Sequence, residues 1–546
     1  MRPLMRAFLI VAGFAIALAV VHADTYPRQT GVDAQHYAFK LTLLTTDSNE
    51  ITGEAAVRLR VVKPDTPEAL LDFATPMPEG KGMTVTTVSR DGKNVAFTHT
   101  DNHLRLPLDG ARAGEDVTFT IAYHGIPANG LRLLNNIHGD RCAFSENWYN
   151  EARQWLPVID HIADKATGEF IITTKSDYQV VGNGTLVEEA DLPGGLRRTH
   201  WRQDEPIAPW LYALGVARFV VHQGPVVRGV PLSFWAFPQD AERGLPKLEQ
   251  DARGAFEFFS ERVGPYVYDK LAHVQAAGMG GGMESTTNIF YGEKSVAATT
   301  NNTLPIVHET AHQWFGNSVT ESDWNDVWLS EGFATYFTLL YTEYAAGREA
   351  FVEGLRRSRD NVLRAEKAQP NTPVVHANFK ESGDSAPNTQ FAYQKGGWTL
   401  HMLRDRVGTD AFWRGIRAYY RAHMNGLATT DDLRHAMEAE SGQDLRPFFT
   451  QWLTRSGVPA IEGMWRYDAA AKNVVVGLRQ TQAGDPYVFP IDVAVTPASG
   501  PIRIVRLQMQ GRGVAATIAM DVEPASVTLD PNVWLLADFV SFRREQ

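Results

Sequence analysis

The run His308-Glu309-Thr310-Ala311-His312 constrains this chain more than any other feature. On a helix, residues four apart stand one turn apart on the same face, about 6 Å from each other. Two imidazoles so placed reach one tetrahedral zinc ion at about 2.0–2.1 Å. Glu309 projects about 100° round the helix from His308, off the ligand line but able to hydrogen-bond a water on the ion. After a further 18 residues comes Glu331, within Trp328-Leu329-Ser330-Glu331-Gly332-Phe333-Ala334, on a second helical pattern. A carboxylate from that neighbouring helix completes a His2Glu set. Three protein ligands with an open fourth position mark a catalytic zinc site, whereas structural sites are closed by four. The lone cysteine, Cys142, excludes a thiolate site and any intrachain disulfide. One zinc ion per chain is the cofactor this pattern demands.

Charge narrows the partners. Lys and Arg number 52 against 63 Asp and Glu, and no basic run interrupts the net charge of −11. Nucleic acid, which needs a concentrated positive surface, is excluded as a partner. With 44% hydrophobic residues in 546, the chain has material for several cores. Its first segment reads as an address. Arg2 and Arg6 precede an apolar stretch from Ala7 to Val21, and Val21-His22-Ala23 supplies the small residues of a cleavage site. Residues 1–23 are therefore expected to be a cleaved signal and Asp24 the mature start. The protein is then exported, periplasmic or extracellular, with no stable membrane insertion after cleavage.

The rest reads as a multidomain α+β chain. Residues 24–224 form an N-terminal antiparallel β domain. Phe39, Leu41 and Leu43 alternate with more polar residues, as do Val57, Leu59 and Val61 around Arg58 and Arg60. Residues 225–457 form a mainly helical domain. Leu245, Leu248, Ala252, Ala255 and Phe259 keep helical spacing up to Gly264-Pro265, and further helices are predicted over 304–315, 326–346, 393–406, 410–423 and 431–440. Residues 458–546 return to strands and form a small C-terminal β-sandwich. Asn183-Gly184-Thr185 reads as a hairpin turn, since Asn-Gly suits type I′.

The zinc pattern with its 18-residue interval resembles the gluzincin peptidases of the M1 aminopeptidase family. His312-Gln313-Trp314-Phe315-Gly316-Asn317 and Trp324-Asn325-Asp326-Val327-Trp328-Leu329 are similar to its sequences, and Gly281-Gly282-Met283-Glu284-Ser285 resembles its GxMEN exopeptidase motif. Ala152-Arg153 to Pro157 with Asp160 to Lys165-Ala166 resembles its N-terminal signature, and Phe448-Phe449 to Trp452 with Gly457 to Pro459 the close of its catalytic domain. The resemblance implies a thermolysin-like catalytic domain and a zinc aminopeptidase acting on peptides with a free N-terminus. It implies His308, His312 and Glu331 as zinc ligands and Glu309 as general base. Glu284 is implied to hold the substrate ammonium, with Gly281, Gly282 and Met283 as a strand edge for the substrate backbone. Tyr393, in Phe391-Ala392-Tyr393-Gln394-Lys395-Gly396, matches the family's oxyanion donor, worth about 3–4 kcal/mol.

Some positions depart from the family. Ser285 replaces an Asn, and Thr338 stands where an acidic residue supports a zinc histidine. Trp148 stands where the N-terminal domain lends an amine-binding residue, with Glu146 two residues earlier. Residues 458–546 are too few for the large helical domain of longer relatives, so a more open cleft is expected. Two alternatives remain at this level. Epoxide hydrolysis in relatives needs an Asp and a second Tyr, where this chain has Ser385 and Asn388, with Asp384 one place off. A catalytically inactive peptide-binding scaffold is the other.

Overall fold

The computed structural model describes residues 29–298, 303–375 and 391–545. The expected signal at 1–23, and Asp384, Ser385 and Asn388, lie outside them. Period-two alternation in the N-terminal region becomes an eight-stranded sheet. Its strand order is Thr185–Leu192, Leu196–Ile207, Ala166–Lys175, Val32–Thr42, Ile51–Val61, Asp116–Ile126, Gly82–Arg90 and Lys93–Asn94. All neighbours are antiparallel except Val32–Thr42 with Ala166–Lys175. In Ile51–Val61, Val57, Leu59 and Val61 are buried while Arg58 and Arg60 face water, as the alternation requires.

A second, four-stranded sheet (Gln179–Gly182, Leu214–Ala217, Arg141–Ser145, Leu131–Asn135) lies toward the helical region. There Phe144 packs edge-on against Phe290 at 5.7 Å. Asn183-Gly184 does not form a hairpin, which corrects the sequence reading. The strands on either side of it enter different sheets. Asn183 is buried, donating to the carbonyls of Leu211 and Thr286 and accepting from the Ala213 amide. Burial of its amide, which the Asn-Gly pair itself cannot reveal, decides the outcome.

The central region is built on a five-stranded mixed sheet in the order Val220–Val227, Val230–Ala236, Leu271–Ala276, Asn288–Gly292, Gly282–Met283. Its first strand runs across the boundary expected at 224. The crossover from Val230–Ala236 to its parallel partner Leu271–Ala276 carries helix Ala241–Arg262. Such a parallel connection needs a dozen or more residues. Leu245, Leu248, Ala252, Ala255 and Phe259 bury its apolar stripe.

Helix Thr303–His312 bears both histidines, and a 41-residue helical run, Trp328–Ala368, bears Glu331. That run breaks at Gly347 (φ 85°, ψ 176°), next to the end predicted at 346. The continuation to Ala368 is absent from the sequence prediction. Its stripe of Phe351, Leu355, Ser358 and Val362 is interrupted by Arg and Glu on both sides, but all four are buried. Among the described residues, no helix is long and apolar enough to cross a membrane.

At the end of the chain, sheets of four strands and three strands form the small sandwich. It is anchored where Trp534 stacks on His401 at 4.6 Å and His401 Nε2 donates to the Val533 carbonyl at 2.8 Å. Burial pushes the His401 pKa down to about 3, so the ring stays neutral.

One helix contact sets the geometry of the centre. Gly332, one residue after Glu331, faces Gly396, and a Cβ on Gly332 would lie 3.0 Å from the Gly396 carbonyl carbon. The backbones meet with no side chain between them, which brings the Phe391–Lys395 turn against the Glu331 helix. Gly332→Val is expected to destabilise the protein by about 1–3 kcal/mol through overpacking. Gly477→Ala, with open space beside it, should leave stability unchanged. Thermal melts of both variants check this.

Candidate metal centre

His308 and His312 converge as helical spacing dictates, their Nε2 atoms 3.2 Å apart. Glu331 Oε2 approaches them at 3.4 and 3.3 Å, closing a near-equilateral triangle. A tetrahedral ion with ligands at about 2.0–2.2 Å sets those ligands about 3.3–3.6 Å apart. The observed edges follow that spacing. Glu331 Oε2 is also buried and, among the described residues, accepts no hydrogen bond. A buried carboxylate oxygen costs free energy unless a cation or donor compensates it. The residues present therefore fit one divalent ion. Of the two groups whose ligand atoms converge, His308-His312-Glu331 and Glu284-Glu309-His312, the first has the tetrahedral spacing.

The supporting contact differs from the sequence expectation. Thr338 spends its hydroxyl on the carbonyl of Ala334 at 2.8 Å, a bond within its own helix. The support comes instead from Ser330, whose Oγ lies 3.0 Å from His312 Nδ1, with the Phe315 carbonyl at 3.2 Å. Nδ1–H directed at these oxygens leaves Nε2 free as a ligand. Ser330 adjoins Glu331 in the same motif, the one signal that could have pointed to it.

Glu309 is buried beside the triangle and packs against Gly282. A Cβ on Gly282 would sit 2.2 Å from Glu309 Oε1. This glycine of the motif thus makes room for Glu309, a role beyond the substrate approach inferred from sequence. Gly281 has open space around it. Gly282–Met283 is an edge strand of the five-stranded sheet, antiparallel to Asn288–Gly292, and Met283 is buried.

Glu284 follows directly. Its Oε1 stands 4.0 Å from His312 Nε2, and its backbone carbonyl accepts from Gln313 Nε2 at 2.8 Å and Asn317 Nδ2 at 2.7 Å. Gln313 and Asn317, present in the sequence only as parts of a pattern, brace this strand end from the helix and loop of the metal centre. Trp148 packs edge-on against Trp324 and Tyr149. Glu146, paired with Arg132 at 2.6 Å, is the acid of that segment whose charge acts on Glu284.

Tyr393 sits in a π-helical turn, Phe391–Lys395, a form frequent at functional sites. Its ring stacks on His308 at 5.8 Å and 11°. Lys395 fixes the turn by donating to Glu366 Oε1 at 2.8 Å and to the Gly457 carbonyl at 2.9 Å.

The electrostatics are those of a cation site. Burial holds Glu309 well above the usual carboxylate range, and Glu284, Glu331 and the neighbouring charges add to or oppose that effect. Burial likewise raises Glu284. Burial acts to lower His312, but Glu284 and Glu331 outweigh it and push its pKa up to about 10. Burial would raise Glu331, yet His312 holds it down to about 2. Burial, then the charges of Glu331 and Glu284, keep the Tyr393 phenol well above its ordinary value, as a proton donor.

The Peptidase M1 N-terminal domain model matches residues 33–211, and the Peptidase family M1 domain model matches residues 248–452. Aminopeptidase N of Streptomyces lividans is 26% identical over 500 residues, covering 84% of this chain and 56% of that protein. Glutamyl aminopeptidase of Bitis rhinoceros is 26% identical over 324 residues, 57% of this chain and 34% of its own length. Tricorn protease-interacting factor F2 of Thermoplasma volcanium is 28% identical over 326 residues, 57% of this chain and 40% of its own length. The chain thus spans about a third to two fifths of these last two relatives. Among solved structures, an M1 zinc metallopeptidase from Deinococcus radiodurans shares the fold, with a TM-score of 0.67 at 24% identity, covering 79% of this chain and 97% of that one.

Ser330→Ala should weaken metal binding by about 10–100-fold through loss of the outer hydrogen bond to His312, while Thr338→Ala should leave it unchanged. Competition with a calibrated chelator measures both.

Proposed function

The chain belongs to peptidase family M1, and from that membership and the arrangement of its buried ligands we propose that it is a zinc-dependent aminopeptidase. The observation that carries the reading is the 3.2–3.4 Å triangle of His308, His312 and Glu331 flanked by two further buried carboxylates. Relatives named aminopeptidase and a structural neighbour named zinc metallopeptidase support it. The substrates are peptides with a free N-terminus.

In this reading His308, His312 and Glu331 hold one zinc ion. The chemistry zinc supplies in such a site is Lewis acidity, which polarises a carbonyl and brings the pKa of a water toward about 7. The protein's own groups do the rest. The Glu309 carboxylate takes a proton from the attacking water and delivers it to the departing amine. The Tyr393 hydroxyl donates to the oxygen on which charge develops. Glu284 receives the substrate ammonium, and because that anchor is fixed, only the first peptide bond reaches Glu309. The free edge of Gly282–Met283 can pair with the extended substrate backbone. Gly281, with open space around it, leaves room for that approach, and the buried Met283 anchors the strand in the core.

Zinc-loaded protein should hydrolyse amino-acid anilides and leave their N-acetylated forms intact. Glu309→Gln should keep the metal and lower kcat by about 10²–10⁴-fold; full activity in that variant would overturn the assigned base. As an exported enzyme it would process peptides outside the cytoplasm. N-terminal sequencing of the protein recovered from its host should then begin at Asp24.

A further inference from the structure

The N-terminal signature, Ala152-Arg153 to Lys165-Ala166, has no part in the chemistry above, yet the structure builds it with unusual care. Arg153 folds back on Asp160: its Nε and its backbone N–H both donate to Asp160 Oδ2, at 3.0 and 3.1 Å, and Nη2 donates to the Asp160 carbonyl at 3.2 Å. The Asp160 amide donates to Asp72 Oδ2 at 2.8 Å, and the Ile159 amide to the hydroxyl of Tyr37 at 3.0 Å. The Ala34 amide donates to Asp164 Oδ1 at 3.3 Å. Asp160 and Asp164 are both buried. These bonds tie residues 153–164 to the eight-stranded sheet and its neighbours from several directions.

The segment ends on Lys165, which crosses out of the N-terminal region. Its Nζ donates to two successive carbonyls, Asn317 at 3.1 Å and Ser318 at 2.9 Å, in the loop that follows the metal helix. An ammonium has three donors and no acceptor, so one group can bridge adjacent carbonyls with charge-assisted bonds. Asn317, the first residue gripped, sends its Nδ2 to the Glu284 carbonyl at 2.7 Å. Burial lowers the Lys165 pKa and Glu321 opposes that, but burial also holds Glu321 itself well above the usual carboxylate range, so the two carbonyls are the partners that compensate the ammonium. The same region makes further contacts just beyond Glu284. Asn183 Nδ2 reaches the Thr286 carbonyl, and the Gly184 amide donates to Thr287 Oγ1 at 2.9 Å.

We propose that Lys165 is a positioning residue for the ammonium site, holding the Asn317 loop so that Asn317 sets the backbone of Glu284 and the place of its carboxylate. The inference rests on the reading of Glu284 as the group that receives the substrate ammonium. It gives the signature a function: a rigid bracket on the N-terminal sheet that reaches across to the back of the exopeptidase determinant. Lys165 touches neither substrate nor metal.

The test compares two inhibitors of zinc-loaded full-length protein, leucine hydroxamate and its analogue lacking the α-amine, with Lys165→Met as the variant. A misplacement of about 1 Å at such a site costs up to about 10²-fold, so the preference for the amino compound should fall about tenfold or more. Ki for the analogue lacking the amine should hold steady, and KM for leucine anilide should rise more than kcat falls. An unchanged preference in Lys165→Met overturns the inference, as does an equal weakening of both inhibitors, which would make Lys165 a support of the metal cage. A wild-type protein that shows no preference for the amino compound overturns the reading of Glu284 instead. Should Lys165→Met not fold, Lys165→Gln keeps an uncharged amide donor on a shorter stem for the carbonyls. Its preference should fall partway, and an unchanged ratio there overturns the inference equally.

Discussion

Three ligand atoms meeting at 3.2–3.4 Å, from buried His312 and Glu331 and half-buried His308, form the constraint on which the rest of this molecule is arranged. Helical spacing alone brings the two imidazoles together, but the third atom comes from a helix that starts 16 residues later. Holding it within a few tenths of an ångström requires both helices to be packed rigidly. Glu284, Glu309 and Glu331 are all buried around this point. A cluster of buried carboxylates costs free energy that a bound cation offsets, so the charge pattern and the ligand geometry call for the same thing.

Close backbone approach is how the fold reaches that tolerance. Gly332 against Gly396 removes the side-chain layer between the Glu331 helix and the turn that carries Tyr393. Gly282 against Glu309 does the same between the edge strand and the metal helix. The first contact brings two backbones together, and the second lets the Glu309 side chain lie against one. Glu309, Tyr393 and Glu284 are thereby set from separate elements, and the density of the core fixes their relative positions.

The parts of this arrangement that obey short-range periodicity were legible in the sequence. His308, His312 and Glu331 follow from spacing, and the alternating strands from period two. The break at Gly347 fell beside the predicted end at 346, whereas the charge-rich continuation to Ala368 did not show itself. Its four buried positions are spaced correctly but diluted by Arg and Glu. Ser330 and Thr338 show a different difficulty. Both are hydroxyls near the zinc ligands in sequence, and which one serves His312 depends on whether the hydroxyl turns back to its own helix. Thr338 does; Ser330 faces the imidazole. Asn183-Gly184 carries a strong local turn preference, but tertiary hydrogen bonds to Leu211, Thr286 and Ala213 bury its amide and send the two strands into different sheets.

The same distinction explains why the proposed exopeptidase would draw on two regions of chain. Chemistry at the metal needs only the two helices and the Tyr393 turn. Selection for a free amine needs more, because a carboxylate measures one residue of length only if its own backbone cannot slide. Glu284 lies at the end of a two-residue edge strand, too short to hold itself through ladder bonds. Its carbonyl is therefore gripped from Gln313 and Asn317, and the loop that carries Asn317 is gripped in turn by Lys165. The lysine stem carries its donors far enough to reach both carbonyls, at 3.1 and 2.9 Å. Burial lowers the Lys165 pKa to about 7 against the opposing pull of Glu321, which is the cost of placing an ammonium there. That such a cost is tolerated at a position remote from bond cleavage is accounted for if the distance from ammonium to scissile carbonyl is what the N-terminal sheet sets.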